Sequence, residues 1–147
     1  MKKLLVSVAG AVLCVGGAAL PAMAADSGDS GVAPASLVKC NTSTLKYLLN
    51  NQQARVPSSS SGTEWVDCWL DVDQVNYSSA VYYLQLNGLK GGEYKNIDAD
   101  GYYGPDTAAA VWEVQKEYGL ELDGVYGYHT GRAMNWKSVS GSISKWL

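Results

Sequence analysis

Phenylalanine is absent from the 147 residues, histidine occurs once, cysteine occurs three times, and acidic residues outnumber basic ones. Each shortage excludes a chemistry. A zinc site needs three or four His, Cys or carboxylate ligands, and His129 stands in the sequence without such a cluster, so no metal site is expected. A thiol enzyme needs a free cysteine paired with a histidine. Cys14 falls in an apolar leader, which leaves Cys40 and Cys68, and two cysteines in an exported chain read as one disulfide. Glu64, Asp67, Asp71 and Asp73 offer the carboxylates a glycosidase requires, but an acidic run beside a cystine reads first as a solvated edge.

The leader is recognisable by pattern. Lys2 and Lys3 precede an apolar stretch from Leu4 to Leu20 that Gly10, Gly16 and Gly17 interrupt, and Ala22-Met23-Ala24 is a small-x-small cleavage site. Residues 1–24 therefore read as a signal peptide rather than a retained span. Leu13 before Cys14 is too large for a lipid-attachment motif. Export is the expectation: secreted, extracellular or wall-associated. Nine basic against fourteen acidic residues remain after position 24, a formal charge of −5. That disfavours nucleic acid and anionic membrane surfaces as partners.

One phrase occurs twice, as Asp100-Gly101-Tyr102-Tyr103-Gly104-Pro105-Asp106-Thr107 and as Asp123-Gly124-Val125-Tyr126-Gly127-Tyr128-His129-Thr130. It is an internal repeat. Each copy reads as a tight turn feeding a helix: Asp and Gly make the turn, the Tyr plugs the core, and the second Gly permits close backbone approach. Pro105 suits the first position of a helix. The pattern Ala-Val-x-x-apolar-Gln also recurs, in Ala80 to Gln85 and in Ala110 to Gln115, with its apolar residues on one helical face. The two glutamines are expected to tie loop backbone.

Taken in order, Val81-x-x-Leu84-Gln85, the first phrase, Ala110-Val111-x-x-Val114-Gln115, Gly119-Leu120 and the second phrase resemble the secreted bacterial peptidoglycan-binding domain, a small three-helix module. The resemblance covers roughly Ser78 to Met134. It implies a mainly α fold, a three-helix bundle, here with an N-terminal disulfide-stapled extension. The expected organisation is a signal peptide (1–24), a flexible lead-in (25–39), a disulfide-bridged segment (40–75), the module (76–136) and a tail (137–147). The chain departs from the family pattern at Gly88, where an apolar residue is expected; Leu89 is displaced by one.

Helices are expected from Ser78 or Ser79 to Asn87, from Pro105 or Asp106 to Tyr118 with Gly119 as cap, and from the second phrase through Met134 or Trp136. Before the module, Leu45, Leu48 and Leu49 at helical spacing suggest a short helix over Thr44 to Leu49, broken by Pro57 and the serines after it. Trp65 to Asp73 alternates as a strand, with Val66, Cys68, Leu70 and Val72 on its inner face, and is expected to clamp the first helix. The tail is expected to fold back onto the module.

The resemblance implies non-catalytic attachment to peptidoglycan, through its glycan or its stem peptide, with no cofactor. Family members usually carry the module beside a hydrolase or transpeptidase domain; at this length no such domain is expected here. Ten Tyr and five Trp give the aromatics polar handles suited to sugars or peptide stems. Tyr102, Trp112 and Tyr128 differ between the repeats and are the candidate contacts; N–H groups near Thr107 and Thr130 are candidates for a carboxylate. Asp100, Gly101, Gly104, Asp123, Gly124 and Gly127 are the turn residues. Asn96, Asp98, Asp100 and Gly101 fit four positions of a calcium loop, but Thr107 stands where the bidentate Glu is needed. The alternative function is a secreted interaction or inhibitor protein, with the Cys40 to Cys68 segment as its contact surface.

Overall fold

The computed structural model describes residues 38–60 and 66–146. The signal peptide, the lead-in as far as position 37, and Glu64 and Trp65 lie outside the described residues. The architecture is mixed rather than mainly α. Three helices share one core with three two-stranded ladders.

The stretch expected to form a helix before the module is a β-hairpin. Strand β1 (Val38–Lys39) is followed by β2 (Thr42–Tyr47) and β3 (Gln53–Ser58), which pair antiparallel from Thr42 opposite Ser58 to Tyr47 opposite Gln53. The cause is the Asn50-Asn51 turn. Asn51 takes a left-handed backbone, φ 60°, and the Asn50 carboxamide accepts the Gln52 N–H at 3.1 Å. Of the three leucines that suggested a helix, only Leu48 is buried. Pro57 lies inside β3, where a two-stranded ladder tolerates it because each strand is an edge.

The bridge joins Cys40 to Cys68 with Cα atoms 5.0 Å apart. It holds β1 parallel to β4 (Cys68–Trp69), so Val38 and Lys39 are strand rather than lead-in. Val66, Cys68 and Leu70 point inward as the alternation predicts, but Val72 is 54% exposed. The strand has ended before it, at Trp69, with one further bridge at Leu70. Its backbone partner is not the first helix: Leu70 and Tyr126, in the second phrase, exchange two N–H···O bonds of 2.9 Å. Packing against α1 (Ser79–Tyr83) falls instead to the β2–β3 hairpin.

Ser78 caps α1 by accepting the Ala80 N–H at 3.2 Å. The helix then widens into π-helical turns over Leu84–Lys90, with Gly91 N–H bonding Leu86 O at 3.0 Å. This resolves the irregularity at Gly88. A π turn absorbs one extra residue, so Leu89 becomes the buried apolar residue and Gly88 is left facing the end of the chain. A Cβ at Gly88 would stand 2.8 Å from Met134 Cε and 3.1 Å from the Trp136 ring.

Helix α2 (Pro105–Tyr118) begins on Pro105 and ends at Gly119 in the left-handed region, φ 66°, both as expected. Helix α3 (Tyr128–Ala133) stops before Met134, and Trp136 belongs to β5 (Trp136–Lys137), which pairs with β6 (Ile143–Ser144). The tail does fold back. Trp146 stacks on Trp136 at 5.6 Å and 5°, and Leu49 N–H bonds Lys145 O at 2.8 Å. Extension, helices and tail thereby close over a single apolar cluster.

Candidate functional site

Two buried glutamines hold the two repeated phrases in the same way. The Gln85 carboxamide oxygen accepts Gly101 N–H at 2.8 Å, and its NH2 donates to Asp100 Oδ1 at 2.9 Å, Tyr102 O at 3.0 Å and Thr107 Oγ1 at 3.0 Å. Gln115 accepts Gly124 N–H at 2.9 Å and donates to Asp123 Oδ1 at 2.6 Å and Val125 O at 3.0 Å. Inside each turn the Asp carboxylate also accepts the N–H two residues on, from Tyr102 at 2.9 Å and from Val125 at 2.8 Å. Gly101 and Gly124 adopt φ 78° and 68°, the left-handed region that a side chain would strain. One device thus fixes two loops of different length.

These bonds set local protonation. The Tyr102 N–H and the Gln85 amide hold the Asp100 carboxyl below the ordinary Asp range. Burial raises the phenols of Tyr103 and Tyr126 above theirs. Both rings plug the core, and Tyr103 donates to Gly124 O at 2.8 Å, linking the first phrase to the second. Replacing Gln85 by leucine strands the Gly101 N–H and the Tyr102 carbonyl. The expected loss is about 2 to 3 kcal/mol, read as a lower urea midpoint with an unchanged slope.

Several expected roles need correction. Gly104 and Gly127 permit no close approach: they are helix N-caps with φ −89° and −140°, and a Cβ on either would meet nothing within 4 Å. Thr107 and Thr130 are only 3% and 4% exposed, because each faces inward from the first turn of its helix. The Thr107 hydroxyl is already engaged by Gln85 and Tyr102 O. Both side chains are turned to the core, so what these positions can offer a ligand is the backbone N–H groups at the helix starts. Asp100, the last carboxylate of the possible calcium loop, is likewise used within its own turn, and among the described residues no three His, Cys, Asp or Glu side chains gather to hold a metal.

Among the described residues, no ring contact joins any two of the three candidate aromatics. Trp112, half-buried on α2, lies under Lys116 with Nζ 5.0 Å from its ring centre. Tyr128 accepts a bond from Arg132 Nη1 at 3.1 Å and leans on Trp146 at 6.4 Å. Tyr102 is 49% exposed and meets Tyr77 edge-on, with ring centres 6.1 Å apart. Sequence reasoning missed Tyr77, which is 59% exposed and lies against Gly101, where a Cβ would run into its ring. Its place is set by the next residue: Ser78 N–H bonds Gly101 O at 2.9 Å. No local signal announces a contact across that distance in sequence.

Helices, twin glutamine clamps and capped turns therefore form one continuous unit that begins at Ser79. Residues 79–134 match the family model described as "Putative peptidoglycan binding domain". The matched stretch contains all three helices and both clamps. It leaves out the disulfide segment, Tyr77, and the tail that carries Trp136 and Trp146.

Among curated proteins, an uncharacterized protein in the bpoA1 3' region of Kitasatospora aureofaciens is 35% identical over 75 residues, which cover 51% of this chain and 64% of that protein. The N-acetylmuramoyl-L-alanine amidase CwlL of Bacillus licheniformis is 56% identical over 52 residues, 35% of this chain and 13% of the amidase. The chain thus spans less than two thirds of either relative. No solved structure matches it.

Proposed function

We infer that the chain is an exported, non-catalytic protein that binds peptidoglycan. The observation that carries this reading is the match over residues 79–134, which coincides with the helices and both glutamine clamps. The similarity to CwlL supports it. That protein is named for action on N-acetylmuramoyl-L-alanine, and the part shared with this chain is 13% of it, a fraction suited to attachment rather than to the amidase reaction.

Of the candidate contacts, Tyr102 fits a wall ligand best. Its ring stands open beside a second open ring, Tyr77, and such a pair offers both an apolar face and phenolic hydrogen bonds. Trp112 and Tyr128, each engaged by a neighbouring cation on its own helix, are secondary contacts in this reading.

The test is sedimentation with purified insoluble peptidoglycan, with release of soluble fragments followed in the same tubes. The protein is expected to sediment without releasing fragments. Tyr102→Ala should weaken binding about fivefold, the scale of one lost ring contact, with smaller losses for Trp112→Ala and Tyr128→Ala. Failure to sediment, or release of fragments, overturns the reading.

A further inference from the structure

The disulfide segment and the linker that leads into α1 enclose a cleft of about 280 Å³, lined by Lys39 and Asn41 on one side and by Asp73 to Ser78 on the other. Apart from Ser78, the residues lining it lie at least two positions before the matched stretch begins. It is a shaped and braced site. Asp71 accepts the Asp73 N–H at 3.1 Å through its side chain and the Gln74 N–H at 3.2 Å through its carbonyl. The Gln74 NH2 donates to Cys40 O at 3.0 Å, fastening the linker to the cystine, and Ser78 fastens it to Gly101. Preformed walls lower the ordering cost of binding.

Its chemistry favours an uncharged, hydroxyl-rich ligand. The Gln74 carboxamide oxygen is buried in the cleft wall without a donor, and an unmatched acceptor costs about 1 to 3 kcal/mol until one arrives. Asp73 is exposed, and its carboxylate bonds no other described side chain; a carboxylate accepts paired hydroxyls and repels an anion. The one cation, Lys39, is already committed to Asp71 at 3.3 Å and lies over the Trp69 ring. A terminal carboxylate is therefore poorly served. At the Tyr77 end of the cleft the edge-on Tyr77–Tyr102 pair provides the ring face that a pyranose needs.

We propose that this cleft is a carbohydrate subsite, seating one or two uncharged N-acetylated sugar residues of a glycan strand between Asp73, Gln74 and the Tyr77–Tyr102 pair. The proposal rests on the wall-binding reading and narrows it: the glycan is held, not the stem peptide, and the disulfide segment supplies half of the site. Sugar hydroxyl and acetamide N–H groups donate to Asp73 and Gln74, and the apolar face of the ring lies on tyrosine.

The test uses the whole protein with two soluble probes, tetra-N-acetylchitotetraose and a free stem pentapeptide, followed by amide chemical-shift changes, alongside sedimentation with peptidoglycan. The tetrasaccharide should shift the signals of Asn41, Gln74, Asn76 and Gly101, and the pentapeptide should not. Asp73→Ala and Tyr77→Ala should each weaken tetrasaccharide and wall binding about tenfold, the loss of a charge-assisted bond or a stacked ring. Tyr77→Ala removes support from Gly101, whereas Asp73→Ala alters an exposed side chain, so the latter decides if the former unfolds. Wall binding unchanged in Asp73→Ala overturns the subsite and leaves the wall-binding reading standing. Shifts at the cleft from the pentapeptide instead overturn the ligand class. Tetrasaccharide binding at the cleft without wall binding supports the subsite and overturns the wall-binding reading, and binding of neither probe nor wall overturns both.

Discussion

Replacing Trp136 with alanine is expected to lower folding stability by about 4 kcal/mol, the range for a large aromatic removed from a filled core. Trp136 is fully buried although it lies outside all three helices. Its indole stacks on Trp146, meets Tyr126 edge-on at 6.3 Å, and donates Nε1–H to Gly131 O at 2.9 Å. The same ring fills the space left at Gly88 in the π-helical turns. One side chain therefore joins the first helical segment, α3 and the tail, and alanine would leave a cavity between all of them together with an unpaired carbonyl. Equilibrium urea unfolding measures the effect. A loss below about 1.5 kcal/mol would mean that the tail closes over the site and refills it.

Loss of the disulfide is the second large effect. Removing the Cys40–Cys68 bridge, by the double change to alanine, should cost about 3 to 4 kcal/mol, since cross-linking residues this far apart removes loop-closure entropy from the unfolded chain. The cysteines are 28 positions apart and both are fully buried. Apolar packing around them persists in the alanine variant, so the loss should appear mainly as an unfolded state with more freedom. It also has a local consequence. Cys40 O receives the Gln74 amide and Cys40 N–H bonds Trp69 O at 3.0 Å, so the cleft wall loosens with the bridge. Unfolding in urea with and without reductant, compared with the alanine variant, checks the magnitude. Equal stability in all three would show that β1, β4 and the Leu70–Tyr126 pair hold the segment without the bond.

The helical part was largely legible because its determinants are local. Pro105 and Gly119 bound α2 by what their backbones allow, and Asp100 and Asp123 reach amides only two residues away. The ties made by Gln85 and Gln115 followed from their repeated places on helix faces. The burial of Tyr103 and Tyr126 followed from matching between the copies. The neighbours of the three candidates were not legible: Tyr77 beside Tyr102, Lys116 over Trp112, and Trp146 beside Tyr128.

The β2–β3 hairpin shows where local reading failed. Leucine spacing argued for a helix, yet the Asn50-Asn51 turn, a signal of equal locality, reversed the chain. Leu48 is then buried by pairing with Trp146, almost a hundred residues later. Gly88 shows the same limit, since its role becomes visible only when Met134 and Trp136 lie against it.

What the sequence by itself determined is the set of turns, caps and helix faces, since each depends on groups a few residues apart; the pairing of Cys40 with Cys68 followed only with Cys14 read as part of a leader. Only the tertiary structure decided that the leucine stretch is a strand, that a π-helical segment corrects the register at Leu89, that the expected fold-back of the tail is sealed by Trp146 stacking on Trp136, and that Tyr77 joins Tyr102 beside a cleft. Those outcomes depend on which distant surfaces meet, and apolar burial, being non-directional, leaves that choice to the packing of the whole chain.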